Sequence, residues 1–228
     1  MRSLPSVART DPAVGVGIGF SRSVIGHSVL GRALVAFRAG PLNAHRRILV
    51  VGVIHGNETA GQAIVEELLR TKPSTTTEVV VVPDLNPDGA ARGTRQNADA
   101  VDLNRNFPYR WKSVGRRGDQ QYSGTGPLSE PESRAAAALI RALHPTVSVW
   151  FHQPVGVVDE SGGSVEVESR FANILGLPLR VMQRYNGSVV SWENLYFPGT
   201  TAFVVELPTR TGASLRAKAL HALYDLER

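Results

Sequence analysis

The chain contains several short, nearly continuous runs of apolar and β-branched residues, and stretches with helical periodicity lie between them. The first run covers residues 46–54, and apolar residues then recur at helical spacing through residues 59–70. Further runs lie at residues 78–83, 147–151 and 202–208. Buried parallel strands are apolar on both faces and alternate with helices along the chain. The pattern therefore predicts an α/β fold that contains parallel strand–helix–strand units.

Length and composition narrow the class of protein. The 228 residues fit one domain of ordinary α/β size, and 42% hydrophobic with 20% charged residues is typical of a globular chain. The formal net charge is +5, but lysine and arginine are scattered, so we expect no nucleic-acid partner. No apolar run approaches the ~20 residues of a membrane span. Residues 1–12 lack the apolar core of a secretory signal, so we expect a cytoplasmic protein, with export as the open alternative.

The chain has no cysteine, so a metal ion would have to be bound by histidine, aspartate or glutamate. His55 and Glu58 lie at a predicted strand-to-helix junction, where residues three apart project from one side of a first helical turn. Purely structural roles for this pair remain open, because the spacing is common. His152 follows the run at residues 147–151, and ligands gather at the carboxyl ends of parallel strands. We therefore expect His152 to be a third ligand.

Two histidines and one glutamate leave a fourth zinc position for water, which is a catalytic rather than a structural arrangement. Glu206 interrupts an apolar strand, so it is either a paired core residue or a general base. Arg95 could stabilise a developing oxyanion. Asn104 and Arg105, side by side in a polar loop, could bind a substrate carboxylate. Asp102 could hold His55 through the ring nitrogen that does not bind the metal.

A set of motifs between residues 26 and 208 resembles the zinc metallocarboxypeptidases of the carboxypeptidase A type. The matching pieces, in family order, are His55-Gly56-Asn57-Glu58, Asn86-Pro87-Asp88-Gly89, Val101-Asp102-Leu103-Asn104-Arg105-Asn106-Phe107, Ser129-Glu130-Pro131-Glu132, His152, Tyr185, Gly187-Ser188 to Trp192, and Glu206. Within the family, the chain looks most like the murein peptide amidase A group. Those enzymes cleave the γ-D-glutamyl–meso-diaminopimelate amide of peptidoglycan-derived peptides.

The resemblance implies a fold, a cofactor and a role for each site residue. The fold is one catalytic domain over residues 1–228, with a mixed, largely parallel sheet and helices on both faces. The substrate is a small peptide with a free carboxylate. The implied roles are one zinc ion on His55, Glu58 and His152, carbonyl polarisation by Arg95, carboxylate binding by Asn104 and Arg105, substrate capping by Tyr185, and proton transfer by Glu206.

The sequence also bears on which C-terminal residue the enzyme would accept. Alignment on Trp192 places Val190 at the floor of the specificity pocket, which argues against a strong preference for lysine or arginine termini. Diaminopimelate carries a second carboxylate that needs a cation. Our hypothesis for that cation is one of the loop residues Arg116, Arg117 and Arg210.

Two other functions remain open at this stage. A zinc deacylase of the aspartoacylase and succinylglutamate desuccinylase type shares the His-Gly-Asn-Glu motif and an Asn-Arg pair, but acts on N-acyl amino acids. A non-catalytic, carboxypeptidase-like binding module is disfavoured, because both the ligands and the base Glu206 are present.

Overall fold

The computed structural model describes residues 19–42 and 44–228. The glycines at positions 15 and 17, whose spacing predicts turns, lie outside the described residues. The strands are β1 Ser21–His27, β2 Ala33–Ala39, β3 Arg47–Val51, β4 Glu78–Val82, β5 Val147–His152, β6 Val157–Asp159, β7 Leu179–Arg180 and β8 Thr201–Glu206. The helices are α1 Ala60–Leu68, α2 Pro87–Arg92, α3 Pro131–Leu143, α4 Val165–Leu175, α5 Val189–Tyr196 and α6 Ala213–Asp225, with a short 3-10 turn at Leu103–Arg105.

The eight strands form one sheet in the order β1-β2-β4-β3-β5-β8-β6-β7. The central strands β4, β3, β5 and β8 are parallel to one another, and antiparallel pairs join them to β2 on one side and β6 on the other. The predicted mixed, largely parallel sheet is therefore confirmed. Since the four central strands point the same way, the segments that follow β3, β5 and β8 emerge at one edge of the sheet.

Helices cover both faces of the sheet, as predicted, and the alternation along β3 shows how. Ile48 and Val50 pack with α1, α4 and α6 in one buried cluster, which includes Ile64. Leu49 and Val51 point the other way and pack with α3 and α5 in a second cluster. Burial on both faces explains why the central strands are apolar throughout. Among the described residues, no helix combines the length and apolar character needed to cross a bilayer.

Three local features differ from what the sequence pattern predicts. Asn86-Pro87-Asp88-Gly89 has the composition of a tight turn, but it begins helix α2, because the Asn86 side chain accepts a hydrogen bond from Gly89 N at 3.0 Å. Ser129-Glu130-Pro131-Glu132 has the pattern of a capping box, but helix α3 begins after Glu130, and Ser129 Oγ donates to the Glu130 carboxylate at 2.7 Å instead. Helix α5 was not predicted, because Glu193 interrupts its apolar pattern.

Glu193 is a fully buried carboxyl group between α5 and β5. Ser148 Oγ donates to one of its oxygens at 2.6 Å and Trp150 Nε1 donates to the other at 2.8 Å. Burial raises its pKa to about 7 from an ordinary value of 4.5, and the two hydrogen bonds only partly oppose that rise. The folded protein therefore holds this proton in a pH range where the unfolded chain has already lost it.

This difference predicts a pH-dependent stability. As pH rises from 4.5 to about 7, the unfolded chain releases the Glu193 proton first, so the free energy of unfolding falls. The loss is on the order of 3 kcal/mol and levels off above the folded-state pKa. We expect Glu193→Gln, whose amide can satisfy the same two partners, to remove this contribution. Urea unfolding followed by tryptophan fluorescence measures the free energy of unfolding of both proteins at each pH. If the two free energies changed equally with pH, the prediction would be contradicted.

Candidate active site

The predicted metal ligands meet at the carboxyl edge of the sheet. His55 lies in the loop after β3, Glu58 precedes α1, and His152 is the last residue of β5. The spacing of His55 and Glu58 predicts that they lie in the first turn of a helix, but the structure places them before α1. They lie in a tight turn that precedes α1 and is closed by a hydrogen bond from Glu58 N to His55 O at 2.9 Å. That turn still directs both side chains to one side.

One atom from each of the three side chains contributes to a compact triangle. Nδ1 of His55 lies 3.0 Å from Oε2 of Glu58 and 3.1 Å from Nδ1 of His152. Nδ1 of His152 lies 3.0 Å from the same carboxylate oxygen. All three residues are buried, and their ligand atoms form a group that could hold a metal ion. Two ring nitrogens and one carboxylate oxygen are a donor set that zinc favours.

Asp102 determines which His55 nitrogen carries the proton. Its Oδ1 lies 3.0 Å from Nε2 of His55, and since an ionised carboxylate only accepts, that nitrogen must be the donor. Nδ1 of His55 is then left with a free lone pair that faces the Glu58 carboxylate, which is another acceptor. Two buried acceptors facing each other are unfavourable unless a cation lies between them. This donor set therefore fits a bound metal ion.

Arg95 connects two of the acidic residues. Its Nε donates to Oδ2 of Asp102 at 3.0 Å, and its Nη1 donates to Oε1 of Glu58 at 2.8 Å. Glu58 therefore directs only its second oxygen, Oε2, into the triangle. The Arg95 loop is itself attached to the His55 loop, because Asn86 Nδ2 donates to both Ile54 O and Arg95 O, at 3.1 and 3.2 Å.

Gly56 allows the His55 loop to pack closely against helix α2. A Cβ atom at this position would lie 2.0 Å from the backbone carbon of Gly89, which no side chain can tolerate. The glycine is thus required by close packing against α2 and not by an unusual backbone conformation.

The electrostatics of the buried groups follow from these contacts. Burial alone would raise the pKa of Asp102, but the hydrogen bond from His55 and the charge of Arg95 hold it well below its usual range. Burial likewise opposes ionisation of Glu58, but protons on the histidine nitrogens that face it hold its pKa far below normal. Glu58 is therefore charged when a cation, either a protonated histidine or a metal ion, lies beside it.

A cavity of about 290 Å³ opens beside the triangle and is lined by both histidines and Glu206. Glu206 is the last residue of β8 and lies directly opposite His152 on the neighbouring parallel strand. Its Oε2 is buried and has no hydrogen-bond partner among the described residues. Glu206 is therefore not a paired core residue, because it lines the cavity and its buried oxygen has no partner among the described residues.

Asn104, Arg105 and Tyr185 line the same cavity. Oδ1 of Asn104 accepts a hydrogen bond from Val189 N at 3.0 Å, and its amide nitrogen has no hydrogen-bond partner among the described residues. The Arg105 guanidinium lies 4.0 Å from the centre of the Tyr185 ring, and its buried Nε has no partner within the described part of the chain. Tyr185 thus packs on the arginine that was expected to bind a carboxylate.

The cavity also contains residues that the sequence did not single out. Arg184 and Asp159 line it, together with the predicted pocket residue Val190. The three arginines hypothesised to bind a second carboxylate do not contribute to it. Arg116, Arg117 and Arg210 are exposed, and none is among the described residues that line the cavity, so the structure gives that hypothesis no support. The signal for Arg184 was only a basic residue beside Tyr185, which is too weak to interpret alone.

Comparison with known proteins identifies the family to which this architecture belongs. The pattern of the zinc carboxypeptidase family matches residues 20–158, which include the three candidate ligands. The chain belongs to the zinc carboxypeptidase family. It is 34% identical over 180 residues to murein peptide amidase A of Escherichia coli K12, covering 73% of this chain and 74% of the relative. It is 37% identical over 150 residues to murein peptide amidase A of Vibrio campbellii, covering 61% and 60%.

Solved structures agree with this assignment of a zinc carboxypeptidase. The crystal structure of murein-tripeptide amidase from Escherichia coli O157 superposes with a TM-score of 0.72 at 31% identity, covering 91% of each chain. Carboxypeptidase A from Helicoverpa armigera shares the fold, with a TM-score of 0.79 at 15% identity over 92% of this chain and 68% of the other. The zinc carboxypeptidase described here is thus a peptide hydrolase, and its His-Glu-His cluster fits the metal that the family name specifies. The similarities favour neither the deacylase nor the binding module.

Proposed function

We propose that this zinc carboxypeptidase acts as a single catalytic domain that releases the C-terminal residue of murein-derived peptides. The bond we assign to it is the amide between γ-D-glutamate and meso-diaminopimelate. The observation that carries the proposal is that the ligand histidines, Glu206 and the Asn104–Arg105 pair all face one cavity. The similarity to murein peptide amidase A over most of both chains supports the substrate class.

His55, Glu58 and His152 would hold one zinc ion. When bound, zinc polarises a carbonyl and lowers the pKa of water. The protein's contribution is to keep the ligands correctly oriented before substrate arrives. Asp102 fixes the His55 ring through its hydrogen bond at 3.0 Å, and Arg95 holds one oxygen of Glu58 at 2.8 Å. Supporting residues of this kind strengthen metal binding because they restrict the ligands to the productive rotamers.

Glu206 would move the proton during hydrolysis. Its carboxylate faces the cavity without a partner among the described residues, so it is free to accept a proton from the attacking water. As the carbon–nitrogen bond breaks, the same proton passes to the leaving amine, and Glu206 returns to its charged form. Register between β5 and β8 positions Glu206 beside His152.

Arg95 would stabilise the negative charge that develops on the substrate carbonyl oxygen. Its Nε and Nη1 atoms are used by Asp102 and Glu58, while its Nη2 has no partner among the described residues. Because both acidic residues restrain the guanidinium, the free N–H groups need little reorganisation to contact the oxyanion. The same two contacts explain how a flexible arginine side chain can be held in a fixed orientation.

Asn104 and Arg105 would bind the terminal carboxylate of the peptide. Asn104 and Arg105 both line the cavity, and Arg105 is held by Tyr185 and by its hydrogen bond to Asn104 O at 2.8 Å. Charge-assisted contacts to a carboxylate would position the preceding amide near Glu206. Tyr185 would cover the bound residue from the side of its loop.

The proposal is tested by incubating the zinc-loaded protein with L-Ala-γ-D-Glu-meso-diaminopimelate and with ordinary peptides that end in an α-linked residue. Products are identified by mass spectrometry. We expect free diaminopimelate from the first substrate and much slower release from the others. Cleavage of ordinary peptides with no release of diaminopimelate would exclude the murein assignment, although the chain would remain a zinc peptide hydrolase.

A further inference from the structure

Three arginine side chains are among the described residues that line the cavity, and the proposed function uses only two of them. Arg95 contacts Glu58 and Asp102, and Arg105 with Asn104 faces the expected position of the terminal carboxylate. Arg184 has no assigned role. Its position in a substrate cavity requires an explanation, because an arginine without a function there would attract anions indiscriminately.

Arg184 is held in place by a buried carboxylate. Its Nη1 donates to both oxygens of Asp159, at 3.0 and 2.8 Å. Asp159 is the last residue of β6 and only 5% exposed. Its two oxygens also accept hydrogen bonds from Met182 N and Ser161 Oγ, each at 2.8 Å. Asp159 therefore has little capacity left to bind a substrate directly, and its role is to fix the guanidinium.

The remaining nitrogens of Arg184 are available. Nε and Nη2 have no hydrogen-bond partner among the described residues, and 30% of the side chain is exposed beside the cavity. A guanidinium fixed through one terminal nitrogen presents its other N–H groups in a planar arrangement that matches a carboxylate. The fixed orientation also reduces the side-chain entropy lost on binding.

The arginines that line the cavity favour an acidic ligand. Arg95 is paired with Glu58 and Asp102. Arg105 and Arg184 also line the cavity, and each keeps N–H groups that have no hydrogen-bond partner among the described residues. Arg184 is also the chain neighbour of Tyr185, whose ring lies on Arg105 at 4.0 Å. Arg184 is therefore adjacent in the chain to the residue that packs on Arg105, and it lines the same cavity as the Asn104–Arg105 pair.

We propose that Arg184, positioned by Asp159, binds a second carboxylate on the side chain of the substrate's C-terminal residue. This inference rests on the proposed function, and it deepens it by naming the group that selects the substrate. The class consists of peptides whose terminal residue is a diacid. Diaminopimelate is one such residue, and glutamate or aspartate is another.

The sharpest test compares two tripeptides that differ by one carboxylate. L-Ala-γ-D-Glu-meso-diaminopimelate carries the second carboxylate, and L-Ala-γ-D-Glu-L-Lys lacks it. For the zinc-loaded Arg184→Gln variant, we expect kcat/KM on the diaminopimelate peptide to fall roughly 10- to 100-fold, mainly through KM. The decrease on the lysine peptide should be far smaller. The ratio of the two kcat/KM values is therefore the readout.

Two further variants separate positioning from charge. Arg180→Gln removes an exposed arginine from β7, outside the cavity lining, and should leave the ratio unchanged. Asp159→Asn should lower the ratio in the same direction as Arg184→Gln, by raising KM for the diaminopimelate peptide with a smaller effect on kcat. Thermal unfolding of each variant establishes that it is folded. A third peptide that ends in glutamate distinguishes a general diacid site from one fitted to the longer diaminopimelate side chain.

Equal losses on both tripeptides, or no loss on either, would overturn the inference while leaving the proposed function intact. If the wild-type protein cleaves neither tripeptide, the proposed function fails, and a binding measurement then decides about Arg184. In that measurement, free diaminopimelate and free lysine are titrated calorimetrically into the wild-type protein and Arg184→Gln. Tighter binding of the diacid that is lost in the variant supports the site, and equal binding of both ligands by both proteins excludes it.

Discussion

Replacing Glu206 with glutamine is expected to lower kcat by roughly 10²- to 10⁴-fold, the range typical of losing a general acid–base group. Glutamine has nearly the same shape and stays beside His152 at the end of β8, but it cannot accept a proton. Glu206 is not a member of the three-residue ligand cluster, so zinc content should remain at the wild-type level. KM should change little, because the terminal carboxylate is bound elsewhere in the cavity.

Steady-state kinetics on the diaminopimelate tripeptide, together with zinc analysis by mass spectrometry, measure both quantities. Glu166→Gln, which alters an exposed glutamate in the first turn of α4, is the matched control and should retain wild-type turnover. If Glu206→Gln turned over substrate at the wild-type rate, proton transfer would have to be assigned to another group. Loss of zinc together with activity would instead make Glu206 a structural part of the metal site.

Replacing His152 with alanine is expected to abolish both zinc binding and hydrolysis. The substitution removes one corner of a triangle whose atoms lie 3.0 to 3.1 Å apart, and the two remaining atoms cannot surround a tetrahedral ion. Zinc affinity should fall by more than the roughly 10- to 100-fold that follows from losing a residue which only supports a ligand. Dialysis of the wild-type protein against a chelator should abolish turnover in the same way, and added zinc should restore it.

Zinc affinity is measured by competition with a chromogenic chelator. His221→Ala, at an exposed position in α6, controls for the loss of a histidine and should bind zinc normally. The triangle would not be the metal site if His152→Ala retained one tightly bound zinc ion. Because His152 is buried among other site residues, thermal unfolding of the variant is needed to distinguish a lost ligand from a lost fold.

The sheet could be predicted from strong local signals, whereas the three candidate metal ligands could be grouped only by combining weak signals with their place in that sheet. Runs such as residues 79–82 are apolar on both faces, as expected for a parallel strand that is covered by helices on both sides. Parallel strands share one carboxyl edge, so His55 and His152 could be placed together despite their separation along the chain. The roles assigned to individual site residues remain predictions until the variants are measured.

Other features depend on packing that no local pattern encodes. Arg184 acquires its position from Asp159, which lies 25 residues earlier on a three-residue strand that was not predicted. Glu193 breaks the apolar pattern of α5, and its two partners lie on β5. In both cases an ionisable side chain is positioned by residues of a distant element. Its environment therefore becomes visible only once the strands are assembled.

The elements that would select the substrate are separate from those that would carry out the chemistry. His152 and Glu206 belong to the interior strands β5 and β8, whereas Asp159 lies on short β6 and Arg184 in the loop before α5. Mutations in that outer pair can therefore change which peptides are consumed without disturbing hydrolysis itself. Proteins that share this fold could therefore diverge in substrate preference through substitutions at these two positions, while the hydrolytic reaction stays the same.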